Sequence, residues 1–196
     1  RTADGGRVRR GMVFRGCELN LRIHLTDEGR RFMHNELGIR TDLDLRFEAV
    51  DKFDTSPIGD DIRYTLLPAK PYAEFTVPEE AAVCRAVFSV FADESAYPLY
   101  VHCWGGADRT GTVVLLLNAL LGVDGESLLL DYELTSFSTC GDRSRNFDLF
   151  RAFLDSLEAY GQPDEPLAVK AENYLLAAGV TPAQLGEIRR ILKEHR

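Results

Sequence analysis

The chain has 196 residues, the size of one domain, and 45 % are hydrophobic, enough for a core without disulfide or metal staples. A net charge of −8 excludes broad nucleic-acid binding, which needs a basic face, so an anionic ligand must be drawn in by a local positive site. Cys17, Cys84, Cys103 and Cys140 form no CxxC pair, and His24, His34, His102 and His195 form no HxH or HExxH pattern. This argues for four free thiols and against a metal or other cofactor.

Residues 1–20 are rich in Arg and Gly, with apolar Met12, Val13 and Phe14, and predict a short hairpin or an extended lead-in. Thr26 before Asp27 and Glu28 predicts a helix start, a capping hydroxyl with acids in the first turn. That helix should run to about Glu36 and stop at Gly38. Ile39 to Leu45 alternates apolar and polar side chains before Arg46 and reads as a strand. Residues 51–61 are polar, with Pro57 and Gly59, and read as a loop. A second strand covers Ile62 to Leu67 and closes at Pro68.

Pro68, Pro71 and Pro78 make residues 68–78 a semi-rigid loop. Pro78, Glu79 and Glu80 then open a helix that should reach about Asp93. Pro98 to His102 is a mostly apolar run, as expected of a strand buried on both faces. Residues 112–122, TVVLLLNALLG, are apolar nearly all round and mark a buried central helix. Beyond Gly122 the pattern is all-helical, with helices expected over 125–137, 143–160, 166–178 and 182–194. The fold class is therefore α/β, a single domain over 1–196 with a helical C-terminal half. No apolar run reaches membrane-spanning length, and a chain that starts at Arg1 gives no reading of targeting signals.

Chemistry concentrates in Val101-His102-Cys103-Trp104-Gly105-Gly106-Ala107-Asp108-Arg109-Thr110-Gly111. Cys followed six residues later by Arg is weak evidence alone. A buried strand before it and a buried helix after it make it strong. Trp104, Gly105, Gly106 and Ala107 can turn successive N–H groups inward as an anion nest, with the two glycines easing the backbone. The following helix adds its partial positive N-terminus, and Arg109 offers a planar fork for two phosphate oxygens.

A cysteine in such a cup is expected to be a thiolate that attacks phosphorus and forms a phosphocysteine. Thr110 is placed to donate its hydroxyl to the Cys103 sulfur, and His102 to orient the loop through its backbone. A departing alkoxide or phenoxide calls for an acid. No Asp occurs between Ile62 and Ala92, so Asp108 is favoured and Glu74 is the alternative. The structural counterpart for Asp108 is a pairing with a nearby cation or a helix cap. Trp104 either walls the pocket or packs against the last helices. Arg46 either faces the pocket or pairs with Glu48 or Asp44, and Lys70 and Tyr72 read as surface residues without consequence, with contact to substrate the alternative.

The loop resembles the protein tyrosine phosphatase superfamily signature, HCxxGxxR followed by Thr or Ser. It is more similar still to the bacterial tyrosine/lipid phosphatases related to the mycobacterial secreted phosphatase B, whose loop reads HCxxGKDRTG. VRRGMVFRGCELNL, LGIRTDLDLR and DYELTS add to the likeness. The resemblance implies a central, mainly parallel sheet flanked by helices. It implies Cys103 as nucleophile, Arg109 as phosphate ligand and Asp108 as acid. The implied activity is hydrolysis of phosphotyrosine, extending to phosphoserine and phosphothreonine, on a phosphorylated protein or small phosphomonoester. An inositol phosphate or phosphoinositide phosphatase is the alternative, and a non-catalytic phosphate-binding module the second. Ala107 stands where many relatives carry a lysine associated with phosphoinositide turnover. The family's opening Arg-Asp-Leu-Gly-Gly-like run has no counterpart, so a missing N-terminal piece is expected.

Overall fold

The computed structural model describes residue 2, residues 5–138 and residues 141–194; Cys140 and His195 lie outside them. The strands are β1 (Arg7–Val8), β2 (Val13–Gly16), β3 (Thr41–Asp44), β4 (Arg63–Leu66), β5 (Leu99–His102) and β6 (Lys193–Glu194). The α-helices are α1 (Asp27–Arg31), α2 (Ala81–Phe91), α3 (Arg109–Leu120), α4 (Gly125–Glu133), α5 (Asp148–Leu157), α6 (Leu167–Ala177) and α7 (Pro182–Leu192). Four strands form one sheet in the order β2-β5-β3-β4, and every neighbouring pair is parallel. Among the described residues, no helix is long and apolar enough to cross a membrane.

Local chemistry explains most boundaries. Thr26 Oγ1 accepts from Gly29 N–H at 3.0 Å and starts α1. The helix continues as a wider turn over Phe32–Glu36, and Gly38 leaves it at φ 63°. Thr181 and Gln184 form a reciprocal capping box at the start of α7, with Pro182 in the first turn. Helix α3 is buried on nearly every side, as its apolar sequence requires.

Three expectations are corrected. Of the two readings of the lead-in, the described residues are extended and make no hairpin: β1 pairs antiparallel with β6, and β2 joins the sheet edge beside β5. The C-terminal half is not purely helical, because Lys193 leaves α7 in an extended conformation to make that pairing. The helices expected over 125–137 and 143–160 are shorter. The first tightens into a 3-10 turn at Leu134–Phe137, and the second begins only at Asp148.

The sheet separates two apolar clusters. Leu43, Leu99 and Val101 face the larger, with Phe75, Phe88, Leu116 and Phe150. Tyr100 faces the smaller, with Leu19, Met33, Ile39, Ile58 and Ile62. The polar residues of β3 do not face water: Asp42 and Asp44 are fully buried. Ser56 donates to Asp42 at 2.7 Å and Tyr64 to Asp44 at 2.8 Å.

Arg46 is 1 % exposed and is one of the largest fully buried side chains. Its Nε donates to Asp44 at 2.9 Å, Nη1 to Glu18 at 2.9 Å and Nη2 to Asn20 at 2.8 Å. Removing one partner of a buried ion pair strands the others without solvent. Arg46→Met is therefore expected to destabilise the fold by about 3–5 kcal/mol. Urea denaturation of the two proteins measures this; a change within about 0.5 kcal/mol would mean the network is not holding the fold.

Candidate active site

Residues 103–108 bridge the end of β5 and the start of α3, so the segment singled out in the sequence is one loop at a strand's C-terminal edge. The parallel register aligns Gly16 and Asp44 with His102. Open parallel sheets bind ligands at this edge. Cys103 is 2 % exposed. Gly106 has φ 71°, and a Cβ there would lie 2.4 Å from the Gly16 carbonyl oxygen, so this position excludes every other residue. Arg15 Nη2 donates to the Gly106 carbonyl at 2.8 Å, and its Nη1 pairs with Asp131 at 2.7 Å. Glu18 N–H donates to the Trp104 carbonyl at 3.0 Å. The loop is thus braced from β2 and from the chain that follows it. Beside it lies a cavity of about 490 Å³ lined by Cys17, Gly105, Leu134 and Phe137, among others.

Arg109 is gripped by Glu48, at 2.8 Å from Nη1 and 3.2 Å from Nη2. The Arg109 guanidinium holds the Glu48 carboxyl down at about 2. Burial disfavours the Arg109 charge, but Glu48 and the nearby Cys103 and Asp108 outweigh it and raise its pKa. Glu48 sits in a single turn, Phe47–Ala49, immediately after Arg46.

Asp108 does not cap α3 with its side chain. It accepts from Arg143 Nε at 2.8 Å and Nη2 at 3.0 Å, and from the Tyr72 hydroxyl. Burial pushes its carboxyl up, but Arg143 and Tyr72 outweigh that and hold it below the usual range. Tyr72 is only 4 % exposed, and its hydroxyl also lies 2.9 Å from that of Tyr132. The reading of Tyr72 as an inconsequential surface residue is corrected: its backbone turns inward at φ 55° and its ring packs edge-on to Phe147.

The other predicted residues are distributed around this centre. His102 Nε2 lies 2.9 Å from Asp42, without hydrogen-bond alignment, and Nδ1 is 3.3 Å from the Cys103 carbonyl. The expected bond from Thr110 to sulfur is not made; Thr110 Oγ1 is buried without a hydrogen bond. Trp104 packs under the Arg22 guanidinium, 4.6 Å from the ring centroid. Ala107 is fully buried in the loop. Arg46 does not open onto the loop, because its nitrogens are taken by Asp44, Glu18 and Asn20. Glu74 is exposed and makes no hydrogen bond or ion pair among the described residues, and Lys70 lies against Glu80 at 3.7 Å. Cys17, Cys84 and Cys103 are free thiols. Arg143 and Arg15 were missed by sequence reasoning. Only the parallel register and the fold of the 141–147 segment bring them to the loop.

No curated protein sequence matches the chain. Among solved structures, it is similar to the core catalytic domain of the PP-IP phosphatase SIW14 from S. cerevisiae, in complex with citrate. The TM-score is 0.53 at 13 % identity, covering 76 % of this chain and 83 % of that one, a likeness of fold. Residues 1–194 match the tyrosine phosphatase family. With its loop set between β5 and α3, the chain belongs to that family of cysteine-based phosphatases.

Proposed function

We propose that the chain hydrolyses phosphotyrosine monoesters, with phosphoserine and phosphothreonine as further substrates, through a phosphocysteine on Cys103. Arg109 and the loop amides of Trp104, Gly105, Gly106 and Ala107 hold the phosphate. Asp108 carries the proton that the reaction moves. Thr110, whose buried hydroxyl is uncommitted, supports the sulfur as it leaves phosphorus. His102 fixes the loop from beneath through its contact with the Cys103 carbonyl. The observation that carries this reading is Arg109 at the first turn of α3, its fork held flat by the two Glu48 oxygens. Glu74 has no such setting, so Asp108 is the better proton carrier. Within the family, the HCxxGxDRTG pattern is the feature that favours kinship with the bacterial enzymes related to the mycobacterial secreted phosphatase B, with Ala107 as the departure.

The second reading is an inositol phosphate or pyrophosphate phosphatase. The similar yeast structure is a PP-IP phosphatase, and a polyanion would find a partner in Arg22. That guanidinium rests on Trp104 and makes no ion pair among the described residues. A non-catalytic module has less support, because Cys103, Arg109 and Asp108 are all present.

The chain should release phosphate from an aryl phosphate and a phosphotyrosine peptide without added metal, and Cys103→Ser should abolish it. Full activity in that variant would sink the phosphocysteine mechanism. Inositol polyphosphates, assayed beside the peptide, decide between the two substrate readings. Glu48→Gln should weaken phosphate binding by loosening Arg109, seen as a KM rise of about tenfold with a smaller change in kcat. Gly106→Ala should lose activity more severely, since its Cβ would meet the Gly16 carbonyl; unimpaired turnover would show that the loop tolerates a shift.

A further inference from the structure

Helix α4 and the turn after it carry an apolar stripe that the core does not use. Leu128 and Tyr132 face inward, each 2 % exposed. Leu130, Leu134 and Phe137 recur at helical spacing on another side and are 49 %, 61 % and 90 % exposed. A single exposed leucine is ordinary, but a stripe that ends in an open aromatic ring marks a contact surface. Leu134 and Phe137 line the cavity of about 490 Å³ beside the phosphate loop, and Leu130 is not part of its wall.

The loop itself forms another wall of that cavity. Gly105 and Gly106 line it, with Gly16 and Cys17 from the end of β2. Arg15 and Asp131 also reach it, but each takes the other's charge, and the rest of the Arg15 fork goes to the Gly106 carbonyl. Among the described residues, Arg15 is the one cation in the wall, so an anionic group finds no open partner there. Burial pushes the Cys17 thiol up, which keeps it uncharged. What the cavity offers is the apolar surface of Leu134 and Phe137 over a neutral floor.

We propose that this cavity is a substrate subsite that takes the apolar side chain of a residue flanking the phosphorylated one, so that the site favours apolar over acidic sequence around its phosphoresidue. The inference rests on the phosphatase reading of the Cys103 loop. The occupant is argued from continuity and charge. Gly105 and Gly106 belong both to the loop that holds the phosphate and to the cavity wall, so the two spaces are about one backbone spacing apart, roughly 5 Å. Peptide on either side of an anchored phosphoresidue passes within reach of it, because consecutive Cα atoms are only about 3.8 Å apart. A leucine or phenylalanine side chain entering there leaves water and covers Phe137 and Leu134, which is favourable in proportion to the area buried. An aspartate or glutamate would lose hydration beside Asp131 with no cation to repay it.

The test measures kcat/KM on phosphotyrosine peptides that differ only in the residues beside the phosphotyrosine: leucine, serine or aspartate. Phenyl phosphate is assayed in parallel. Wild type should prefer the leucine peptide to the serine peptide by at least about tenfold, with aspartate the poorest. Phe137→Ser and Leu134→Ser should each cut the leucine preference to about threefold or less. Both side chains are largely exposed, so neither change threatens the fold. Leu130→Ser, on the same stripe but outside the cavity, should keep the full preference. If wild type hydrolyses phenyl phosphate but Phe137→Ser and Leu134→Ser leave the leucine-to-serine ratio unchanged, the subsite is wrong while the phosphatase reading stands. A preference for aspartate that Arg22→Gln removes would overturn it by moving recognition to the Trp104 side of the loop. Phosphate release from a phosphoinositide in phosphatidylcholine vesicles that outpaces every peptide, and is lost in Phe137→Ser, would overturn it by giving the cavity to an acyl chain. If wild type hydrolyses neither phenyl phosphate nor any peptide or lipid, the subsite and the phosphatase reading fall together.

Discussion

The site depends on a single buried cation. Arg46 has left water almost entirely, and such a group is tolerated only when each of its donors is met. Meeting them draws two pieces of chain to one point: the end of β3 through Asp44, and the segment after β2 through Glu18 and Asn20. Both pieces then reach the phosphate loop. Glu18 bonds the Trp104 carbonyl through its N–H, and Glu48, two residues past Arg46, takes Arg109. The walls on either side of the loop are therefore positioned by an interaction that never touches substrate.

Around the loop, charge is matched in pairs. Arg15 meets Asp131, Arg109 meets Glu48 and Arg143 meets Asp108. In a chain of net charge −8 this keeps the cations in place without a positive surface. A phosphate arriving at Arg109 meets a fork already aligned by the Glu48 carboxylate, which is 45 % exposed and shares its charge with solvent. Asp108 is more deeply held, so the two carboxylates answer an incoming anion differently.

The sequence made the architecture legible wherever the signal was local. The strand before Cys103, the helix after Arg109 and the caps at Thr26 and Thr181 all follow from short-range rules. What depended on pairing between distant segments was not legible. Arg7 and Val8 look like half of a hairpin until Lys193 and Glu194 arrive 185 or more positions later. Asp42 and Asp44 alternate with apolar residues as a solvent-facing row would, yet both are buried because Ser56, Tyr64 and Arg46 converge on them. At the site, Cys103 and Arg109 stand out by spacing. Arg143 carries no linear mark, and Tyr72 reads as loop because the turn that buries it has no glycine at its positive φ.

The β1–β6 pairing has a mechanical consequence. Arg7 faces Glu194 and Val8 faces Lys193, so chain beyond both outer residues departs from the same end of this two-residue ladder. Tension applied through those ends peels the ladder open one pair at a time instead of shearing it all at once. Force reaches α7 and β2, the edge strand of the parallel sheet, only after the clasp has parted. The smallest sheet in the molecule acts as its mechanical fuse.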